Sequence, residues 1–244
     1  MIKQLVMSQT YRQSSRITPE LLAADPLNTL LSRGPRFRLQ GEFIRDNALH
    51  VSGLLNPQIG GASVNPYQPP GIWNEVSLNG ALKYKQDEGD KLFRRSMYTY
   101  WKRSAPAPNV LIFDAPTREK CVVQRARTNT PLQALVTLND IHFVEAARKF
   151  AERIIAEGGE TFESRIQYAY KLGLARDASA EELAVCREVF EAQLKSFSAD
   201  PESAKKYIGI GESPRAEGIA PNELAAYAVI TSMILNLDEL LTRG

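Results

Sequence analysis

The chain has 244 residues, 43% hydrophobic and 24% charged, a balance that suits a globular protein with a real core and not a disordered segment. Its 30 basic and 28 acidic residues leave a formal charge of +2, which argues against nucleic-acid binding through bulk charge. No apolar run nears the roughly 18 residues of a membrane span. Cys121 and Cys186 form no CxxC, CxxCH or zinc pattern, so two separate buried thiols are expected, with one long-range disulfide as the alternative.

Ile2 to Met7 reads as the last turns of a helix that begins upstream, and the polar run behind it leaves no room for the apolar part of a signal peptide. Thr18-Pro19-Glu20-Leu21-Leu22 predicts a short capped helix, and Pro26 to Leu31 a second. A first long helix is expected from Leu39 to Leu55, with Leu39, Phe43, Ile44, Val51, Leu54 and Leu55 as its apolar stripe and Asn56-Pro57 as its end. From Gln58 to about Glu88 the chain reads as a long loop, punctuated by Gly60-Gly61 and by Asn65 to Trp73. Ordered loops of this length are uncommon and often functional or interfacial. Leu92 to Trp101 crowds Phe93, Met97, Tyr98, Tyr100 and Trp101 together, and an irregular or briefly extended segment is expected there. Val110-Leu111-Ile112-Phe113 is a buried apolar run.

The second half is regular. Thr130, Pro131 and Gln133 mark a helix start three ways: a threonine N-cap, a proline at N1 and a glutamine placed to close a capping box. Helices follow at Leu132 to Leu138, Asp140 to Glu157 and Phe162 to Leu174. Ser179 and Glu182 make a second capping box, opening a helix to about Phe197, and Asp200-Pro201 starts a short one. The last helix, from Pro221, is apolar almost all round, which places it in the middle of a bundle. The expected fold is mainly α and a single domain over residues 1–244. An irregular, aromatic and Pro-rich portion (1–116) packs on a C-terminal helical bundle (117–244).

Several groups carry candidate chemistry. Arg125 and Arg127, with Asn129, stand before the Thr130 helix mouth, where free amides and a guanidinium suit an anion. The plainer expectation for the same arginines is bridging to Asp114 or Glu119, locking the two halves together. Glu42, Arg45 and Asp46 at helical spacing suit an acid/base pair, with His50 one turn on, or else a buried salt-bridge cluster. His142 and Glu145 have the spacing of one side of a metal site, yet a solvated helix face is expected and no metal. Tyr67, Trp73 and Trp101, with Tyr98 and Tyr100, suit stacking on sugar rings or a satellite core. No phosphate loop, GxSxG elbow or HExxH is present.

Several runs together carry a resemblance: Thr10 to Ser15, Arg33-Gly34-Pro35-Arg36, Glu42 to Asp46, Val51 to Leu55, Gly60-Gly61, Tyr67 to Trp73, Arg94 to Arg103, Phe113 to Pro116, Arg127 to Asp140, Gly211-Glu212-Ser213 and Asn236 to Glu239. The chain resembles the planctomycete-type PSD1 family (DUF1553) over essentially its whole length. The resemblance implies sequence ahead of Tyr11 that this chain lacks, making it a fragment, and an exported, extracytoplasmic protein. It also implies a companion domain upstream and, in some members, a c-type cytochrome module, where any haem c would reside. The family has no established reaction. The expectation is therefore a non-catalytic interaction or carbohydrate-like ligand-binding module of a cytochrome-linked envelope protein. The alternative is an enzyme acting on an anionic or saccharide substrate, with Glu42 or Asp46 as acid/base and Arg94, Arg125 and Arg127 as clamp. No cofactor, nucleic-acid partner or membrane span is expected in this chain.

Overall fold

Where an apolar stripe meets a helix-starting residue the chain turns helical, and the computed structural model, which describes residues 1–77, 79–81 and 83–243, carries twelve helices. The first, α1 (Ile2–Val6), is exposed. In α2 (Pro19–Ala24) the Thr18 side chain accepts from the amide of Leu21. The second helix expected at Pro26 to Leu31 does not form. Asp25 takes the amides of Thr29 and Leu30, and Arg33 donates to the carbonyls of Asp25 and Pro26, so side chains replace helical bonds there.

After β1 (Phe37–Arg38) comes α3 (Gly41–Ser52), shorter than the expected Leu39 to Leu55. Gly53 adopts a left-handed conformation and ends it before Asn56-Pro57 is reached. Ile44, Ala48 and Val51 face the core, whereas Phe43 is exposed. Among the described residues of the long loop the one helix is α4 (Ile72–Glu75), and Leu78 and Leu82 lie outside those residues. Two 3₁₀ turns, Gly89–Phe93 and Ser96–Tyr98, shape the aromatic segment. Within the apolar run, α5 (Pro108–Leu111) buries Val110, and Phe113 is buried just beyond it.

The bundle comprises α6 (Pro131–Asn139), α7 (Ile141–Glu157), α8 (Phe162–Leu174), α9 (Ala180–Ala199), α10 (Pro201–Ile208) and α11 (Pro221–Leu235). It is followed by α12 (Asp238–Leu241) and β2 (Thr242–Arg243). The box on α9 forms, with Ser179 and Glu182 bonding reciprocally. The box on α6 does not, since Thr130 makes no side-chain cap bond. Gln133 is fully buried and donates to the Ile112 carbonyl at 2.9 Å and to Thr128 Oγ1 at 3.1 Å, because a carbonyl left free after α5 needs an interior donor.

α11 is buried on nearly every side and packs against α7, α9 and α10, with α6, α8 and α12 also touching it. Thr231 on α11 donates to the Ala147 carbonyl of α7 at 2.7 Å. α3 packs on α7, so the bundle reaches into the first half of the chain. β1 pairs antiparallel with β2, Phe37 opposite Arg243 and Arg38 opposite Thr242, which ties that half to the C-terminal end. A satellite core of Leu49, Tyr67, Leu92 and Phe93 sits under the loop. Both cysteines are free. Cys186 is buried, but Cys121 is exposed because its segment runs over the surface.

Candidate functional site

Two neighbouring residues of α3 order the irregular portion. Arg45, fully inside, donates to the Leu92 carbonyl at 2.6 Å, the Arg94 carbonyl at 3.0 Å and Ser96 Oγ at 3.1 Å. Burial lowers its guanidinium to about 10. Asp46 accepts from the Ser96 amide at 2.7 Å. Arg94 passes the order on, donating to the carbonyls of Gln58, Gly60 and Ala62 while its guanidinium lies 3.8 Å from the Tyr98 ring centroid. These charge-assisted bonds to backbone hold a loop that has almost no regular structure of its own.

The loop so held closes over the first turn of α7 and leaves a cavity of about 20 Å³. Tyr67, Tyr84, Tyr100 and Trp101 wall it, and the polar residues Gln68 and His142 also line it. Asp140, the N-cap of α7, accepts from the His142 amide at 3.0 Å, and the same oxygen lies 2.8 Å from His142 Nδ1. A carboxylate oxygen accepts, so Nδ1 carries the proton and the neutral ring keeps its lone pair on Nε2. Nε2 is buried without a partner among the described residues, as is Gln68 Nε2. The Tyr67 ring stands edge-on to the imidazole at 5.1 Å. Burial pushes the His142 imidazolium below its ordinary value, and the Arg45 charge adds to this, against the pull of Asp140. Burial acts to raise the Asp140 carboxyl, but the hydrogen bonds from His142 outweigh it and hold it low.

The structure gathers part of the expected site. Tyr67, Trp101 and Glu42 all line the chamber. Trp73 stands behind its wall, 5.2 Å from Tyr84 and 5.9 Å from Tyr100, with Lys102 Nζ 4.6 Å from its ring centroid. Trp101 donates through Nε1 to the Thr117 carbonyl, and Arg118 covers its ring at 4.5 Å. Glu42 is engaged by Arg125, whose Nη1 also reaches Gln40. Asp46 faces a different groove, with His50. Arg94 is buried in the loop. Arg127 is exposed over the Phe37 ring at 4.6 Å and lines a separate cleft with Arg125 and Asp114, and Asn129 is exposed. The expected bridges to Asp114 or Glu119 are not made by Arg125. Asp114 instead accepts from the amide and hydroxyl of Thr128.

His142 and Glu145 overturn the expectation of a solvated face, for both are buried. Glu145 accepts from the Ser213 amide at 2.6 Å and lies 3.7 Å from Arg148. The irregular portion and the loop around Gly211 cover this second face of α7, and apolar spacing does not register a cover of that kind. The short Asp140-x-His142 spacing, a cap and a ring on one turn, was the local signal available. Among the described residues no three His, Cys, Asp or Glu side chains gather as a metal site, and no helix is long and apolar enough to cross a membrane.

A family model described as PSD1, a protein of unknown function (DUF1553), matches residues 1–190. No match was found among curated proteins or among solved structures.

Proposed function

The chain belongs to the PSD1 family, and from that premise we propose that it is a non-catalytic binding module that takes a carbohydrate-like ligand at the chamber beside His142. The observation that carries this is the pair of buried atoms without partners, Gln68 Nε2 and His142 Nε2, on two residues that line an aromatic-walled space. One donates and the other accepts, which matches the hydroxyls of a sugar, while the aromatic walls suit its C–H faces. Leaving such atoms unpaired costs about 1–3 kcal/mol each, a cost that a bound hydroxyl removes. A cavity of about 20 Å³ has room for one or two water-sized groups. The chamber therefore takes a single hydroxyl or hydroxymethyl arm, and the sugar ring lies outside on Tyr100, which is 50% exposed, beside Trp101 with its Arg118 cover.

Engagement of Glu42 by Arg125, of Asp46 by Ser96 and of Arg94 by three carbonyls favours a module over an acid/base enzyme with an arginine clamp. Family membership also supports an exported, envelope setting with a companion domain and a cytochrome-type module ahead of this one. This chain has no CxxCH, so haem c would sit in that module and not here. Fractionation of the native host checks the compartment.

The chain has two tryptophans, and both stand at this site, so intrinsic fluorescence reports it directly. Titration with glucose, N-acetylglucosamine and glucuronate is expected to give a saturable change in the millimolar range with the neutral sugars, weakened in Trp101→Ala. A response to glucuronate alone would favour the anionic-substrate enzyme and overturn the module, as would silence from all three.

A further inference from the structure

Resting on the chamber reading above, we infer that His142 is the specificity residue of the site: a ligand hydroxyl donates to its Nε2, Asp140 positions the ring, and the site lets go of its ligand on acidification. The tautomer follows from geometry. A lone pair on Nδ1 would face the Asp140 oxygen at 2.8 Å, two electron-rich atoms in contact, so the proton belongs between them. Asn109 Nδ2, 3.2 Å from the same Nδ1, then has no lone pair there to bond. Nε2 is left as an acceptor, buried in a residue only 4% exposed and unpaired among the described residues. An acceptor selects an O–H or N–H group and rejects an ether or carbonyl oxygen.

The charged and titratable groups around the ring decide how the site answers to pH. Asp140 and Glu145 belong to the first turns of α7, Arg45 comes from α3, and Tyr67 from the loop. Arg45 opposes a second positive charge in the chamber, while Asp140 and Glu145 favour it, and burial sets the balance toward the neutral ring. Covering the chamber with a neutral sugar removes what water reaches the ring and disfavours the imidazolium further. Ligand and proton therefore compete. If the ligand displaces the His142 pKa downward by about one unit, affinity falls about tenfold on acidification.

The test follows the binding of glucose or N-acetylglucosamine, whichever is tighter, by tryptophan fluorescence from pH about 8 to about 5 across the histidine range. Nitrogen NMR of the imidazoles runs alongside it. The chain has two histidines and His50 is exposed, so the second ring is an internal reference. The expected result is an unprotonated His142 Nε2 at pH about 8 that shifts on addition of sugar, with affinity falling toward pH about 5 and reaching the tenfold limit only below the ligand-bound pKa. Asp140→Asn keeps a good helix cap and removes the charge, so it moves the affinity profile to lower pH with the fold intact. His142→Gln abolishes the profile. Sugar binding with flat pH dependence and an unmoved Nε2 would overturn this inference and leave the chamber reading standing. A protonated Nε2 at pH about 8 would do the same. No fluorescence response at any pH overturns the chamber reading, and this inference with it.

Discussion

Arg125 Nη1 lies 2.9 and 3.1 Å from the two carboxylate oxygens of Glu42, so a basic and an acidic site candidate, far apart in sequence, are each other's partners. The same nitrogen is 3.0 Å from Gln40 Oε1, and the three together join the segment ahead of α6 to the start of α3. The pair is partly exposed, with side chains 27% and 18% accessible, which keeps its worth modest. Arg125→Ala is expected to lower stability by about 1 kcal/mol, and a double-mutant cycle with Glu42→Gln to return a coupling of about 0.5–1 kcal/mol. Urea denaturation measures both. A coupling of zero would mean that the contact holds nothing.

Arg45 is expected to matter far more. Arg45→Met leaves the buried carbonyls of Leu92 and Arg94 and the Ser96 hydroxyl without this donor. A loss of about 3 kcal/mol or more is expected, with a smaller but clear loss for Arg45→Lys, whose single ammonium cannot reproduce a planar fork. Protease sensitivity of the 58–100 region should rise in parallel.

Thr130 and Gln133 separate a sequence signal from its use. Thr130→Ala should change stability by less than about 0.5 kcal/mol, because no amide is capped by its side chain. Gln133→Leu strands the Ile112 carbonyl and should cost about 1–3 kcal/mol. If the order of the two were reversed in thermal melts, the inward turn of Gln133 would be wrong.

Acid should act through Glu182. Arg176 bonds its carboxylate, and the Ser179 amide adds to this, holding it at about 2 against an ordinary 4.5. A lowered folded pKa means that the unfolded chain takes the proton first. The contribution is therefore whole above pH 4.5 and is lost as pH falls from 4.5 toward about 2. Glu182→Gln should flatten the urea midpoint over that interval. His142 behaves with the same sign at higher pH: depressed below 6.5 in the fold, it makes stability decline as pH drops through and below 6.5. His142→Gln removes that earlier slope.

The sequence made the bundle legible because its signals are local. The predicted Phe162 to Leu174 helix forms with those bounds, and the Ser179–Glu182 box opens α9 as expected. The proline and cap types also placed the start of α6, although the cap itself goes unused. Tyr67, Trp101 and Glu42, named as candidates from composition and spacing, line the chamber. The burial of His142 was not legible, since it is decided by Tyr67 and Asn109, which are remote in sequence. The same holds for Arg45 with Leu92 and for Glu145 with Ser213, pairs that no window of helical periodicity spans.

The position of α11 sets a conflict between the direction of synthesis and the order of assembly. The ribosome makes this helix after α6 through α10, yet it is the strut that they pack against. Until it emerges, the nascent chain carries the apolar stripes of α7, α8 and α9 with nothing at their centre, a state prone to association. The pairing of Phe37–Arg38 likewise waits for Thr242–Arg243. The bundle therefore cannot close around its centre until α11 has left the ribosome. A piece ending at residue 190, inside α9, is expected to be made but not to stay in solution.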